Sequence, residues 1–236
     1  MLLSLVLFGS RARGDHRLSS DVDLLGVVDG GTIKDEISSR GASFYRYPIG
    51  SLQKKAEGGD LFLLHLTTEG RVLHDTAGIF LDVCQRFRFR DSYHAEIREA
   101  SAIVWFLAYR PKLLEVRLLR KRLVWAFRTI LIARSAEQSV PNFSSAALAK
   151  FSSMPELKLV IDKRFVLPSE ALCKVAKKIV SEFGLSRDEL VWPSDIEAQR
   201  DFLSKLGGVA KGTVERSQRG RKDKELLQYA TGHPYL

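Results

Sequence analysis

Two apolar runs, "LLSLVLF" at 2–8 and "VDLLGVV" at 22–28, bracket a polar segment that opens with Gly9-Ser10 and closes with Ser20-Asp21. No other feature constrains the chain so tightly. Each run has the length and apolar content of a buried strand, and the segment between them is too polar to cross a core. Asp21 and Asp23 stand at i and i+2. On a strand they leave from one face, about 7 Å apart by strand rise, with Val22 between them directed to the core.

Two carboxylates so placed repel each other unless a cation lies between them. Hard divalent ions with oxygen ligands fill that role, and Mg²⁺ (or Mn²⁺) keeps waters and recruits phosphates. At the other end of the segment, a strand that stops at Gly9 before a helical start lets backbone N–H groups approach an anion closely. Ser10 adds a hydroxyl donor there, and Arg11 and Arg13 add charge. Phosphates on the Gly-Ser turn and metal on the aspartates would share one cleft.

The residues that make this pattern, "GSRARG" followed by "SSDVDLL", resemble the signature of the DNA polymerase β-type nucleotidyltransferase superfamily, most of all its minimal and aminoglycoside-type members. The resemblance implies that Gly9 and Ser10 hold a nucleoside triphosphate, ATP or another, with Arg11 and Arg13 nearby. It also implies that Asp21 and Asp23 are the catalytic metal ligands and that Ser20 braces the first of them. The implied reaction is in-line attack of an acceptor hydroxyl on the α-phosphate with release of pyrophosphate. Catalysis of that kind is mostly positioning and charge neutralisation.

The pattern breaks in one place. Many members carry a third carboxylate on a later strand, and the matching run here, "ASFYRYPI", has no acid. Asp60, Glu69 and Asp75 lie downstream, where solvated helix or loop positions are expected for them.

Along the chain, strands are expected at 2–8, 22–28, 42–49 and 71–75, with helices at 32–39, 51–57 and 60–67. From about residue 76 the period becomes helical, with segments at 76–88, 92–109 and 112–134 and shorter ones at 143–151, 155–163, 168–183 and 194–207. The expected fold is therefore α+β: a small mixed-sheet nucleotidyltransferase domain over 1–88, then an all-α helical-bundle domain over 89–236 with a basic tail. Within 112–134, Arg117, Lys121 and Arg128 fall within about 40° of one another at helical spacing. They form a basic stripe beside the apolar one, and Arg117 and Lys121 are candidate contacts to triphosphate or acceptor.

The net charge of +9 favours an acidic partner without naming it. Cys84 and Cys173 sit in apolar helical contexts and are expected as buried free thiols, consistent with a reducing cytoplasm. The five histidines show no metal-ligand spacing. Trp105, Trp125 and Trp192 show none of the basic-aromatic interleaving of single-strand binders. No apolar run approaches the ~18 residues of a spanning helix, so no membrane partner is expected. The strand at the start of the sequence leaves the outer face of the sheet to be covered, and a homodimer is one way to cover it.

Two functional classes follow. The first is a metal-dependent nucleotidyltransferase moving a nucleoside monophosphate, AMP from ATP, to a hydroxyl on a protein, small molecule or RNA. The second is a catalytically degenerate member of the same fold that binds nucleotide, nucleic acid or a partner.

Overall fold

A computed structural model describes residues 1–16, 20–38 and 41–219. It is mixed α/β, with a sheet in the N-terminal region and helices thereafter. The chain packs as two units, one from Met1 to Asp91 and one beginning at Ser92.

The first unit holds β1 (Leu2–Phe8), α1 (Gly9–Arg13), β2 (Val22–Val28), β3 (Lys34–Ser38), β4 (Ala42–Pro48), α2 (Ile49–Glu57), α3 (Leu61–Glu69), β5 (Arg71–Asp75) and α4 (Ile79–Gln85). The strands form one sheet in the order β3-β4-β2-β1-β5. β2 runs parallel to β4 and the remaining pairs are antiparallel. The helix expected at 32–39 is instead strand β3 over Lys34–Ser38. Its polar residues carry no strong pattern of their own, and antiparallel pairing with β4 supplies the backbone partners.

One face of the sheet carries the core. Val6, Phe8, Leu25, Val27, Tyr45 and Tyr47 point to that face and pack on Leu52, Phe62, Leu63 and Leu66 of the helices. Phe8 lies 5.6 Å from the rings of both Tyr45 and Phe62, which pins the end of β1. On the other face, Phe44 lies across Gly26, where an added Cβ would meet its ring at 2.5 Å. Ser4, buried in mid-strand, donates its hydroxyl to Asp75. Asp75 also accepts the N–H of Phe80 at 2.9 Å, fastening the start of α4 to the sheet.

The second unit is helical: α5 (His94–Leu107), α6 (Val116–Glu137), α7 (Ser145–Phe151), α8 (Glu156–Asp162), α9 (Ser169–Glu182), α10 (Arg187–Leu190), α11 (Ile196–Leu206) and α12 (Gly208–Arg219). Pro111 occupies a separate short 3₁₀ turn. The long α6 starts at Val116, where the Glu115 side chain accepts from the N–H groups of Arg117 and Leu118. Leu119, Leu123, Phe127, Ile130 and Leu131 of α6 are buried, as the apolar stripe requires. The basic tail is helical as far as Arg219, and Glu99 accepts the N–H of Ala210 at 2.9 Å in the first turn of α12. The rest of that tail, 220–236, lies outside the described residues. Among the described residues no helix is long and apolar enough to cross a membrane. Both cysteines are free thiols, and burial pushes the Cys84 thiol up to about 11.

Candidate active site

The antiparallel register of β1 and β2 sets Phe8 opposite Asp23. The residue after Phe8 is Gly9, at φ +74°, and a Cβ added there would stand 2.7 Å from Asp23 Oδ2. Two independent constraints therefore require glycine. The backbone is left-handed, where a side chain is strained, and the space a side chain would take belongs to the carboxylate. α1 follows at once, and Gly14, at φ +81°, ends it and turns the chain toward β2.

Strand alternation places Asp23 differently from the sequence-based expectation. It shares a face with the fully buried Leu25 and Val27, so it stands at the margin of the helix-covered face, whereas Val22 points to the other side. The carboxylate is largely desolvated as a result. Burial, reinforced by the negative charge of Asp21, pushes Asp23 up to about 6, against a smaller opposing effect of Arg13. Asp21 itself is exposed just before β2, beside the turn at Gly41, whose carbonyl accepts the N–H of Val22 at 2.8 Å.

Neither basic residue of α1 pairs with these aspartates. Arg11 donates to the carbonyl of Ser20 from Nε at 3.2 Å and from Nη2 at 2.8 Å. It thereby ties α1 to the residue that precedes Asp21. Arg13 donates to Asp15 at 3.1 Å and to Glu69 Oε2 at 2.7 Å. The same Glu69 oxygen lies 2.7 Å from Nε2 of His65, a buried residue one turn earlier on α3 whose ring stands edge-on to Phe8. Burial acts to raise Glu69, but the hydrogen bonds and charges of His65 and Arg13 outweigh it and hold Glu69 below the usual carboxylate range. For Arg13, burial is likewise outweighed by Glu69 and Asp15, and its guanidinium is held above its ordinary value. This Arg13–Glu69–His65 chain moors α1 on α3. Sequence reading had no signal for it, since Arg13 and Glu69 are far apart in the chain and share no motif.

The site thus brings together Gly9, Ser10, Arg11, Arg13, Ser20, Asp21 and Asp23 within the first unit. Arg117 and Lys121 lie on α6 of the second unit, where the Arg117 guanidinium sits 5.5 Å from the centre of the Phe165 ring. Arg128 of the same stripe donates to the carbonyl of Phe143 at 2.8 Å.

A third carboxylate is absent from β4. The residue beside Asp23 there is the buried Ser43, with Tyr45 next on that face. The downstream acids are engaged elsewhere rather than solvated. Asp60 caps α3 and pairs with Lys55 at 2.7 Å, Glu69 holds Arg13, and Asp75 holds Ser4. Among the described residues no group of three or more histidine, cysteine or acidic side chains forms a metal cluster.

The two aspartates nonetheless suit a hard divalent ion. The Asp23 carboxylate is desolvated, lies close to a second carboxylate, and has no hydrogen bond or ion pair among the described residues. Two protein oxygens would leave the remaining octahedral positions to water and phosphate, which is how Mg²⁺ is commonly held at phosphoryl-transfer sites.

Residues 2–71 match the family model for the nucleotidyltransferase domain. A crystal structure of a nucleotidyltransferase-like protein from Exiguobacterium sibiricum is similar to the chain at 12% identity. That likeness covers 87% of this chain and 71% of the other, with a TM-score of 0.33. No curated protein matches the sequence.

Proposed function

We propose that this chain, whose residues 2–71 match the nucleotidyltransferase domain family, transfers a nucleoside monophosphate from a nucleoside triphosphate, ATP in the first instance, to an acceptor hydroxyl. The observation that carries the reading is the meeting of Gly9 with Asp23, the carboxylate standing where a side chain at residue 9 would be. Asp21 and Asp23 are the residues that would hold Mg²⁺ or Mn²⁺, and Gly9 and Ser10 present backbone N–H groups and a hydroxyl to phosphate. When bound, such an ion supplies charge neutralisation at the phosphates. Arg11 positions Ser20 and the approach to Asp21, while Arg13 adds positive charge near Asp23 without forming an ion pair to it. The acceptor belongs to a protein, a small molecule or an RNA, in a cytoplasmic setting.

The acid-free β4 favours a second reading, a domain that binds nucleotide without turning it over. One experiment separates the two. Full-length protein is incubated with α-phosphate-labelled ATP, Mg²⁺ and cell lysate, which is then fractionated into protein, RNA and small molecules. Transfer predicts label in one fraction with wild-type protein and none with Asp21→Asn/Asp23→Asn. Bound nucleotide with no labelled fraction supports the second reading.

A further inference from the structure

The second unit contains a cavity of about 830 Å³, within the range of small-ligand sites, that the nucleotidyl-transfer reading does not use. Tyr109, Arg110, Arg187, Asp188, Trp192 and Gln199 are among its lining. Two guanidinium groups reach it already oriented. Arg110 Nη1 donates to Gln199 Oε1 at 2.8 Å, and Gln199, only 3% exposed, is held in turn by donating Nε2 to the carbonyl of Pro193 at 2.6 Å. Arg187 lies 4.7 Å from the ring centre of Trp105 and 4.6 Å from that of Tyr109, two rings stacked 5.5 Å apart. The platform under Arg187 is rigid. Trp105 Nε1 donates to the carbonyl of Leu185 at 2.8 Å, and the capping box of Ser186 and Glu189 fixes the start of α10.

Among the described residues neither guanidinium is paired with a carboxylate. Lys177, 4.1 Å from the centre of the Tyr109 ring, adds a third cation nearby, against the single acid Asp188 in the lining. Trp192 offers a flat apolar wall, held edge-on to Phe202 at 5.5 Å and 77°. Between α10 and Trp192 the chain passes through Val191 at φ 52°, ψ 52°. A β-branched residue is strained in that region, and such strain collects at ligand sites.

We propose that this cavity binds a phosphate monoester of a molecule that also bears a flat ring, the chemistry shared by an aryl phosphate and a nucleoside monophosphate. Arg110 and Arg187 take the phosphate oxygens and the ring packs on Trp192. Two pre-oriented guanidinium forks match a doubly charged phosphate, and the indole supplies the apolar complement.

The test is calorimetric titration of the full-length protein in EDTA with AMP, phenyl phosphate and inorganic phosphate. Wild type is expected to bind AMP and phenyl phosphate at least about tenfold more tightly than inorganic phosphate. Arg187→Gln, an exposed substitution, should weaken both by at least about tenfold, the value of a charge-assisted hydrogen bond. The same titration with Asp23→Asn separates this site from the nucleotide site of the first unit, and undiminished binding there is expected. The proposal is overturned by no binding of either ring phosphate, by equal affinity for inorganic phosphate, or by binding that Asp23→Asn removes and Arg187→Gln leaves intact.

Discussion

Gly9 and Asp23 exclude one another's alternatives: a Cβ on the first would stand 2.7 Å from a carboxylate oxygen of the second. The β1–β2 register makes this contact, by setting Phe8 opposite Asp23 so that the next residue turns over the carboxylate. Glycine is needed here for a conformational reason and a steric one at once.

Gly9→Ala therefore combines a left-handed backbone penalty with a clash against Asp23. We expect a loss of about 1–3 kcal/mol in stability and loss of metal-dependent nucleotide binding. Denaturant unfolding and nucleotide titration of the purified variant measure the two effects separately.

Burial and Asp21 hold Asp23 near 6, above its ordinary value of 3.8. The folded state thus takes up a proton more readily than the unfolded chain between those values. Without metal, stability falls as pH rises from about 4 to about 6. Asp23→Asn, which keeps the shape and removes the charge, is expected to raise the melting temperature of the metal-free protein by several degrees at pH 7, while abolishing transfer. Thermal unfolding in EDTA tests this, and an unchanged or lower melting temperature would count against the desolvated carboxylate.

The same protonation competes with metal. Mn²⁺ affinity is expected to strengthen as pH rises through about 6 and to level off above it. Titrations from pH 5 to pH 8, from about one unit below that value to about two above it, show this as a rising curve in wild type and a flat one in Asp23→Asn.

Glu69 holds two partners at once, Arg13 and His65. Glu69→Gln leaves the Arg13 guanidinium with the more exposed Asp15 as its remaining carboxylate partner, and we expect a cost of about 1–3 kcal/mol. The folded-state value of Glu69 is depressed, so its contribution is present above the ordinary carboxylate range and is lost as pH falls through that depressed value. Melting temperature against pH should drop in acid for wild type and less so for Glu69→Gln.

Much of the site was legible because its parts lie close together in sequence. Gly9 and Ser10 follow directly on β1 while Asp21 and Asp23 stand at the start of β2, so the apolar pattern of the two strands puts the acids near the Gly-Ser turn. The mooring of α1 was not legible, because Glu69 and His65 reach Arg13 only after α3 packs against the sheet. β3 was read as a helix because pairing with β4, not its own residues, decides its conformation. The aromatic and basic residues of the second-unit cavity looked scattered for a similar reason. Trp105 lies in the last turn of α5 and Tyr109 just past its end, but Arg187 comes to them from α10.

The central claim is that Asp21 and Asp23 join a divalent ion to the phosphates of a nucleotide held at Gly9-Ser10. The direct measurement is calorimetric binding of a non-hydrolysable ATP analogue, with and without Mn²⁺, to wild type and to Asp21→Asn/Asp23→Asn. Tight binding by wild type only when Mn²⁺ is present, and its loss in the double variant under the same conditions, is the predicted result. Equal binding in all four cases, or binding that ignores the ion, would contradict it.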